Sequence, residues 1–463
     1  MKALFKSTMG AVAAACGGKL VAGDPSVAVE TITTDSRELG VNNLFVPIVG
    51  EKYDGHDYIV PLAENGSLAG FLTARESDLA TAGRFNTAAV LCDDTLAAYG
   101  RIATSHRASM KAGIVGITGT NGKTTTKELL YAALSAKYTC LKNEKNYNNE
   151  VGLPYTLLHL RPEHDIAVVE LGMNHPGEIA RLSRIARPDI AVITNIGEGH
   201  LEFLESVEGV ARAKAEIVEG LAPGGKLYIN QDSQCFDILC ETARARGCEV
   251  VSFGLYSSAH VFPQDYSLGA ADCSVMYRGE TYHVPLYGIH NLYNLLLAVA
   301  LAGELGVEPE LIKSGLSSFR SIDKRSQIIE KDFILVDDTY NSNPLSTRYA
   351  IMSIASIYPA HRKVAVLADM KELGPSSAAF HERVGHMMVD YEFDLLCAYG
   401  EDARHYVSGA LAAGMKREAA RHFGSKEEIG VFLKAWLKKG DVVLVKGSRS
   451  MKMEEVTDAL VRR

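Results

Sequence analysis

Ile117-Thr-Gly-Thr-Asn-Gly-Lys-Thr-Thr-Thr126 is the stretch on which the fold turns. The apolar run Ile114-Val-Gly-Ile-Thr118 leads into it as a buried strand, and the residues from Lys123 onward read as a helix. A strand that curls through glycines into a helix aims successive backbone N–H groups at one point, and the positive end of the helix dipole adds to their field. Such a turn suits a phosphate. At this spacing Lys123 reaches the outer phosphates of a nucleotide, and the Thr124 hydroxyl reaches Mg²⁺. The common phosphate-loop pattern places four residues between its first glycine and Gly-Lys. That first position is Ile117 here, so the working form is the shorter Thr118-Gly-Thr-Asn-Gly-Lys-Thr124. Gly119, Thr120, Asn121, Gly122, Lys123, Thr124 and Thr125 are therefore the expected nucleotide contacts.

Working outward, Asp165-Ile-Ala-Val-Val-Glu-Leu171 and Asp189-Ile-Ala-Val-Ile-Thr-Asn195 repeat the pattern of apolar strand, polar turn and helix. Alternation of that kind predicts a parallel sheet with helices on both faces. Helices expected at His290 to Glu304 and Pro309 to Ser318 close this block. A further α/β block follows, with strands at Ile334 to Asp337, Val364 to Ala368, Leu395 to Tyr399 and Val442 to Val445. In it Ile429, Phe432, Leu433, Trp436 and Leu437 form a helical stripe that belongs to a core. Before the phosphate loop lies a smaller block of short strands and glycine turns. It includes a strand at Leu44 to Val49, the loop Gly50-Glu-Lys-Tyr-Asp-Gly55 and a helix from about Leu96 to Met110. The expected architecture is α/β in three domains. Residues 1–110 form a small mixed α/β domain, 111–320 a central P-loop domain with a mostly parallel sheet, and 321–463 a Rossmann-like doubly wound domain.

Bulk properties agree with this plan. A chain of 463 residues exceeds one ordinary core. The formal charge of -8 and the lack of a Lys/Arg cluster argue against a nucleic-acid partner, while a few local cations can still dominate one cleft. The cysteines at 16, 92, 140, 235, 240, 248, 273 and 397 form no Cys-x-x-Cys pair, so they read as reduced thiols of a cytoplasmic protein. The run Ala11-Val-Ala-Ala-Ala-Cys16 reads as a short helix closed by Gly17-Gly18 and not as a leader. No segment reaches the roughly 20 apolar residues a bilayer span requires.

Three more residues are candidates for chemistry. Glu170 ends a buried strand, so its carboxylate should emerge at the sheet edge beside the phosphate loop, in position to complete a Mg²⁺ shell. His200, in Asn195-Ile-Gly-Glu-Gly-His200, and Lys214, in Val210-Ala-Arg-Ala-Lys-Ala-Glu216, would by residue type alone be a structural histidine and a solvated lysine.

Together, Thr118-Gly-Thr-Asn-Gly-Lys-Thr124, Glu170, His200 and Lys214 resemble the Mur ligases, which extend the peptidoglycan peptide at the expense of ATP. Gly288-Ile-His-Asn-Leu-Tyr-Asn294 is similar to the family's G-x-H-N-x-x-N segment. Thr33-Thr-Asp-Ser-Arg37, Gly50-Glu-Lys-Tyr-Asp-Gly-His56, Asn146-Tyr-Asn-Asn-Glu-Val-Gly-Leu-Pro154, Asp337-Asp-Thr-Tyr-Asn-Ser-Asn-Pro344 and Lys446-Gly-Ser-Arg-Ser450 look like segments of the member that adds the final dipeptide. The resemblance covers nearly the whole chain. It implies a ligase that joins D-alanyl-D-alanine to UDP-N-acetylmuramoyl-tripeptide through an acyl phosphate, in the cytoplasm, as a monomer. It implies ATP and two Mg²⁺ ions as cofactors, with Lys214 carbamylated by CO₂.

The implied roles are as follows. Lys123, Lys214, His200, Glu170 and Arg325 are catalytic; Thr124, Glu170, His200 and the Lys214 carbamate hold metal. His290, Asn291, Asn294, Asp337, Tyr340 and Asn341 join the phosphate loop in binding ATP. Ser36, Arg37, Lys52, Asn148, Asn149, Asn343 and Arg449 bind the two organic substrates. The family's Gly-Arg pair near the start of the third domain is replaced by Asp323-Lys-Arg325, which keeps the arginine and loses the glycine. The resemblance also implies hinges near residues 110 and 320. Other amide ligases built on the same ATP module, an earlier Mur ligase or folylpolyglutamate synthetase, would lack the later segments, and the intact Lys123, Thr124, Glu170, His200 and Lys214 argue against a nucleotide-binding subunit that has lost ligase activity.

Overall fold

The computed structural model describes residues 1–38, 42–66, 68–320 and 324–462. Three six-stranded sheets and one small three-stranded sheet organise the chain. The N-terminal sheet is mixed: its inner strands Ala28–Thr33, Asn43–Phe45, Leu68–Thr73 and Ala88–Leu91 run parallel, while Lys2–Thr8 and Lys19–Ala22 join its edges antiparallel. The strand expected from Leu44 to Val49 is therefore shorter, because Pro47 has no N–H to continue the ladder. The helix Met9–Cys16 ends at Gly17 in the left-handed region, as the Gly17-Gly18 pair predicts.

The central sheet is wholly parallel, in the order Glu249–Phe253, Lys226–Asn230, Ile190–Ile193, Gly113–Thr118, Ile166–Glu170, Cys140–Lys142. Its inner strands are buried along their length, which is why they read as continuous apolar runs. After Gly113–Thr118 the chain builds one half of the sheet and then crosses to the other. The crevice at this reversal, at the carboxyl ends of Gly113–Thr118 and Ile190–Ile193, is where open α/β sheets take their ligands. The phosphate loop opens there, into the helix Lys123–Ser135. The helix His290–Glu304 packs along that helix with Leu292, Leu295, Leu296 and Val299 buried. An antiparallel sheet of Asp265–Leu268, Cys273–Tyr277 and Glu280–Val284 lies under it.

The third sheet runs Gln327–Glu330, Ile334–Asp338, Val442–Lys446, Lys363–Ala368, Leu395–Tyr399, Ala420–Phe423; all but the first strand are parallel. Within the helix Lys426–Trp436, Ile429 and Leu433 are fully buried, so the stripe is core; Leu437 lies just past the helix end. The helix Thr95–Ala108 links the first block to the second and packs on both Met9–Cys16 and Glu178–Ala186. All eight cysteines are free. Among the described residues no helix is long and apolar enough to cross a membrane.

Candidate active site

The phosphate loop is braced by the neighbouring strand. Thr120 N donates to Asn195 O (2.9 Å), Asn121 N to Asn195 Oδ1 (2.9 Å), and Thr194 Oγ1 to Asn121 O (2.6 Å). Both glycines are required. Gly119 has φ 147°, and a Cβ there would lie 1.9 Å from Thr194 Oγ1; Gly122 has φ 80°, and its Cβ would meet Asn294 Oδ1 at 2.6 Å. Lys123 Nζ folds back onto the loop carbonyls of Gly119 (2.8 Å) and Thr120 (3.2 Å). Burial lowers its pKa, Glu170 opposes the shift and Arg325 adds to it. The loop thus carries its ammonium at the position a phosphate would fill.

Glu170 sits where its strand predicts, buried at the sheet edge. Thr124 Oγ1 donates to its Oε2 (2.8 Å) and Asn148 Nδ2 to its Oε1 (2.7 Å). Its backbone is clamped by Asn143, whose Oδ1 accepts from Glu170 N (2.9 Å) and whose Nδ2 donates to Glu170 O (3.0 Å). Thr124 and Glu170 offer hard oxygen donors beside the phosphate loop, which is the donor chemistry Mg²⁺ takes together with nucleotide phosphates. Lys214 is 1% exposed, and its side chain forms no hydrogen bond or ion pair among the described residues. Burial drives its pKa well below 10.5, nearby Lys123 pushes it further, and Glu170 only partly opposes them. That setting favours the neutral, nucleophilic form of the amine. His200 is engaged from the third domain: its Nδ1 is 2.6 Å from Glu372 Oε2. Among the described residues no three His, Cys, Asp or Glu side chains cluster as a metal site would.

A cleft beside the phosphate loop is lined from both sides, with His290 and Asn291 facing Arg325, Asp338, Tyr340 and Lys446. Burial pushes the His290 pKa down to about 4, so the ring is neutral at pH 7, and it lies 6.1 Å from the Tyr349 ring at 28°. His290 Nδ1 and Arg325 Nε are buried with no hydrogen-bond partner among the described residues, an open capacity that a nucleotide would satisfy. The Arg325 guanidinium lies 3.9 Å over the Tyr340 ring, and Asn341 O accepts from Lys446 Nζ (3.0 Å). Asp323 lies outside the described residues.

Several residues expected to touch ligand are engaged within the protein instead. Asn291 Nδ2 donates to Tyr287 O (2.7 Å), and Asn294 links Asn291 Oδ1 to Thr126 Oγ1 (2.9 and 3.1 Å). Their amides join the two helices, and only Asn291 borders the cleft. Asp337 turns inward and holds Thr339 N and Oγ1 (3.1 and 2.6 Å). Strand side chains alternate between faces, so its neighbour Asp338 faces the cleft and binds Lys446 Nζ at 2.5 Å. Asn343 caps the helix Pro344–Ile357 through Ser346 N (2.8 Å), and Asn149 Oδ1 holds Gly152 N (2.9 Å) at the start of Gly152–Leu157. Arg449 pairs with Glu454 (2.7 Å), and Arg37 forms a bidentate pair with Asp35. Lys52 is exposed and Ser36 partly so.

Sequence reasoning missed Asp338, Lys446, Asn143, Tyr349 and Ser326, the last of which lines the same cleft. The strand period separates Asp338 from Asp337 without choosing between the faces, and no signal in the sequence marks Asn143. Burial raises the pKa of Asp338, but the Lys446 ammonium outweighs it and keeps the carboxylate charged. Removing that counter-ion strands a lysine that is 2% exposed. Asp338→Ala should therefore cost about 3–5 kcal/mol of stability in urea unfolding. A loss below about 1 kcal/mol would mean that the pair contributes no more than a surface ion pair does.

This geometry defines a ligase-type nucleotide fold, and the chain belongs to the Mur ligase family. The Mur ligase middle domain model matches residues 117–302, and the model described as Mur ligase, glutamate ligase domain matches 324–449. The chain is 34% identical over 437 residues to UDP-N-acetylmuramoyl-tripeptide–D-alanyl-D-alanine ligase of Bacillus subtilis (strain 168), covering 94% of this chain and 93% of that one. It superposes on a crystal structure of MurF from Acinetobacter baumannii with a TM-score of 0.89 at 30% identity, covering 99% and 100% of the two chains. MurF ligase from Thermotoga maritima, solved in complex with ADP, gives 0.80 at 27%, covering 93% and 96%.

Proposed function

We propose that the chain catalyses ATP-dependent ligation of D-alanyl-D-alanine to UDP-N-acetylmuramoyl-tripeptide, in peptidoglycan precursor synthesis. The reading rests on one observation above others. A Gly-Lys-Thr phosphate loop opens at the sheet reversal beside Glu170, in a chain similar along 94% of its length to enzymes of that name. A carboxylate is a poor electrophile, so it must first be activated. The tripeptide carboxylate attacks the γ-phosphorus of ATP, ADP leaves, and an acyl phosphate forms. The dipeptide amine then attacks the acyl carbon, and phosphate leaves.

In this reading the Gly119–Thr125 backbone cradles the phosphates. Lys123 swings from its carbonyl partners to the γ-phosphate, and Arg325 turns its unpartnered Nε toward the same charge. His290 and Asn291 border the adenine, with Tyr340 and Asn341 closing the cleft. Mg²⁺ held by Thr124 and Glu170, with a second ion at His200 and a Lys214 carbamate, would neutralise the phosphoryl charge during transfer. Lys214 suits carbamylation because burial favours its neutral amine, the form that adds to CO₂ and releases one proton. With Nδ1 on Glu372, Nε2 is the His200 atom left for an ion. Residues 1–110 would hold the nucleotide sugar through Ser36 and Lys52, 111–320 the ATP, and 321–463 the dipeptide, in a cytoplasmic monomer.

The test is product analysis with ATP, Mg²⁺, UDP-N-acetylmuramoyl-tripeptide and D-alanyl-D-alanine. A pentapeptide product by mass spectrometry is expected. Ligation of a single amino acid in place of the dipeptide, or turnover of a folate in place of the tripeptide, would overturn the substrate assignment and leave the ATP chemistry intact.

A further inference from the structure

We infer that Asn343 is a positioning residue through which docking of the third domain sets the shape of the phosphate loop. Asn121 sits at the middle of that loop, and its backbone is fully engaged: N on Asn195 Oδ1, O on Thr194 Oγ1 and Asn195 Nδ2. Its side chain is the loop's remaining polar handle. It meets Asn343 in a reciprocal amide pair, with Asn121 Nδ2 donating to Asn343 Oδ1 at 3.1 Å and Asn343 Nδ2 to Asn121 Oδ1 at 2.9 Å. An asparagine pair of this kind fixes both position and rotation, since each amide supplies one donor and one acceptor.

Asn343 is itself held rigidly. Its Oδ1 also accepts from Ser346 N, the Ser346 hydroxyl closes a capping box, and Pro344 starts the helix. A shift of that helix therefore moves the amide as a unit. The surrounding surface is fitted to the same docking. A Cβ on Gly197 would lie 2.5 Å from Leu345 Cδ2, and Glu202 N donates to Glu372 O (3.0 Å) beside the His200–Glu372 contact. The third domain thus grips the two central loops that border the phosphates, and the amide pair is its contact with the phosphate loop itself. The consequence is reciprocal. Undocking the third domain loosens the loop and weakens nucleotide binding, and nucleotide on the loop favours docking. The identity of the nucleotide rests on the proposed function; the coupling does not depend on the organic substrates.

Asn343→Ser separates this role from capping, because serine caps the helix but is too short to reach Asn121. In the full-length protein, calorimetric titration with ADP should show affinity lowered about five- to tenfold, while the melting temperature stays at the wild-type value. In Asn343→Ala, where the cap is lost as well, both should fall. Asn121→Ser should weaken ADP by a similar factor, and the double variant should bind no worse than the weaker single variant. A fluorophore pair across the central and third domains should report a broader distance distribution in Asn343→Ser. Wild-type ADP affinity in Asn343→Ser, or losses that multiply in the double variant, would overturn the inference. Absent ligation with the ADP coupling intact would overturn the proposed substrates and leave this inference standing.

Discussion

Lys123→Ala should lower kcat by about 10³-fold or more at saturating substrates, with a much smaller change in the KM for the tripeptide. The ammonium lies on the carbonyls of Gly119 and Thr120, at the mouth of the loop that receives the phosphates. Charge on the γ-phosphoryl oxygens rearranges during transfer, and a point cation already inside the loop stabilises that change without reorganising water. Burial and Arg325 weaken the hold of Lys123 on its proton, and Glu170 offsets them only in part. Lys123→Arg should not rescue, because a planar fork cannot occupy a pocket built for a point charge. Phosphate release measured by a coupled assay decides the matter. A loss under tenfold would place the catalytic cation elsewhere, with Arg325 the first alternative.

Lys214→Ala should cost about 10²–10³-fold in kcat, with ADP affinity changed little. The residue is buried and unpaired, which an ordinary structural lysine is not. If it works as the carbamate, acetate or bicarbonate added to Lys214→Ala should restore part of the rate by supplying a carboxylate to the vacated space. The pH dependence has a definite sign. The amine is neutral only above its depressed pKa, so as pH falls through that value Nζ takes a proton, a carbamate there would revert to CO₂, and wild-type activity should fall. That limb should be absent from Lys214→Ala. The stability of the uncarbamylated protein follows the same group. From the depressed pKa up to the ordinary value of 10.5 the unfolded chain binds the extra proton, so stability rises with pH across that window. An activity loss in Lys214→Ala that no small carboxylate relieves, with an unchanged pH profile, would make Lys214 a structural residue.

The fold was legible where burial is continuous. Ile166–Glu170, Lys363–Ala368 and Val442–Lys446 are covered on both faces and so read as unbroken apolar runs, and His290–Glu304 is apolar nearly all round. The edge strands Gln327–Glu330 and Ala420–Phe423, and the small sheet from Asp265 to Val284, are half exposed and carry no such run. In the site, the phosphate loop and Glu170 follow from local geometry. The asparagines did not, because an amide serves equally well toward adenine or toward another side chain. Asn294 meets Thr126, 168 residues away, and Asn343 meets Asn121, 222 away, pairings that only the packed helices and domains decide. Asp337 and Asp338 differ by one step of a two-residue period, and that step sends one to the core and the other to the cleft.

If ATP activates the tripeptide carboxylate as an acyl phosphate, an oxygen of that carboxylate must leave with the phosphate. Tripeptide labelled with ¹⁸O in its terminal carboxylate is turned over with ATP and D-alanyl-D-alanine, and the released phosphate is analysed by mass. One ¹⁸O atom should be transferred to phosphate for each pentapeptide formed. Unlabelled phosphate alongside amide product, or label recovered in a nucleotide, would contradict it.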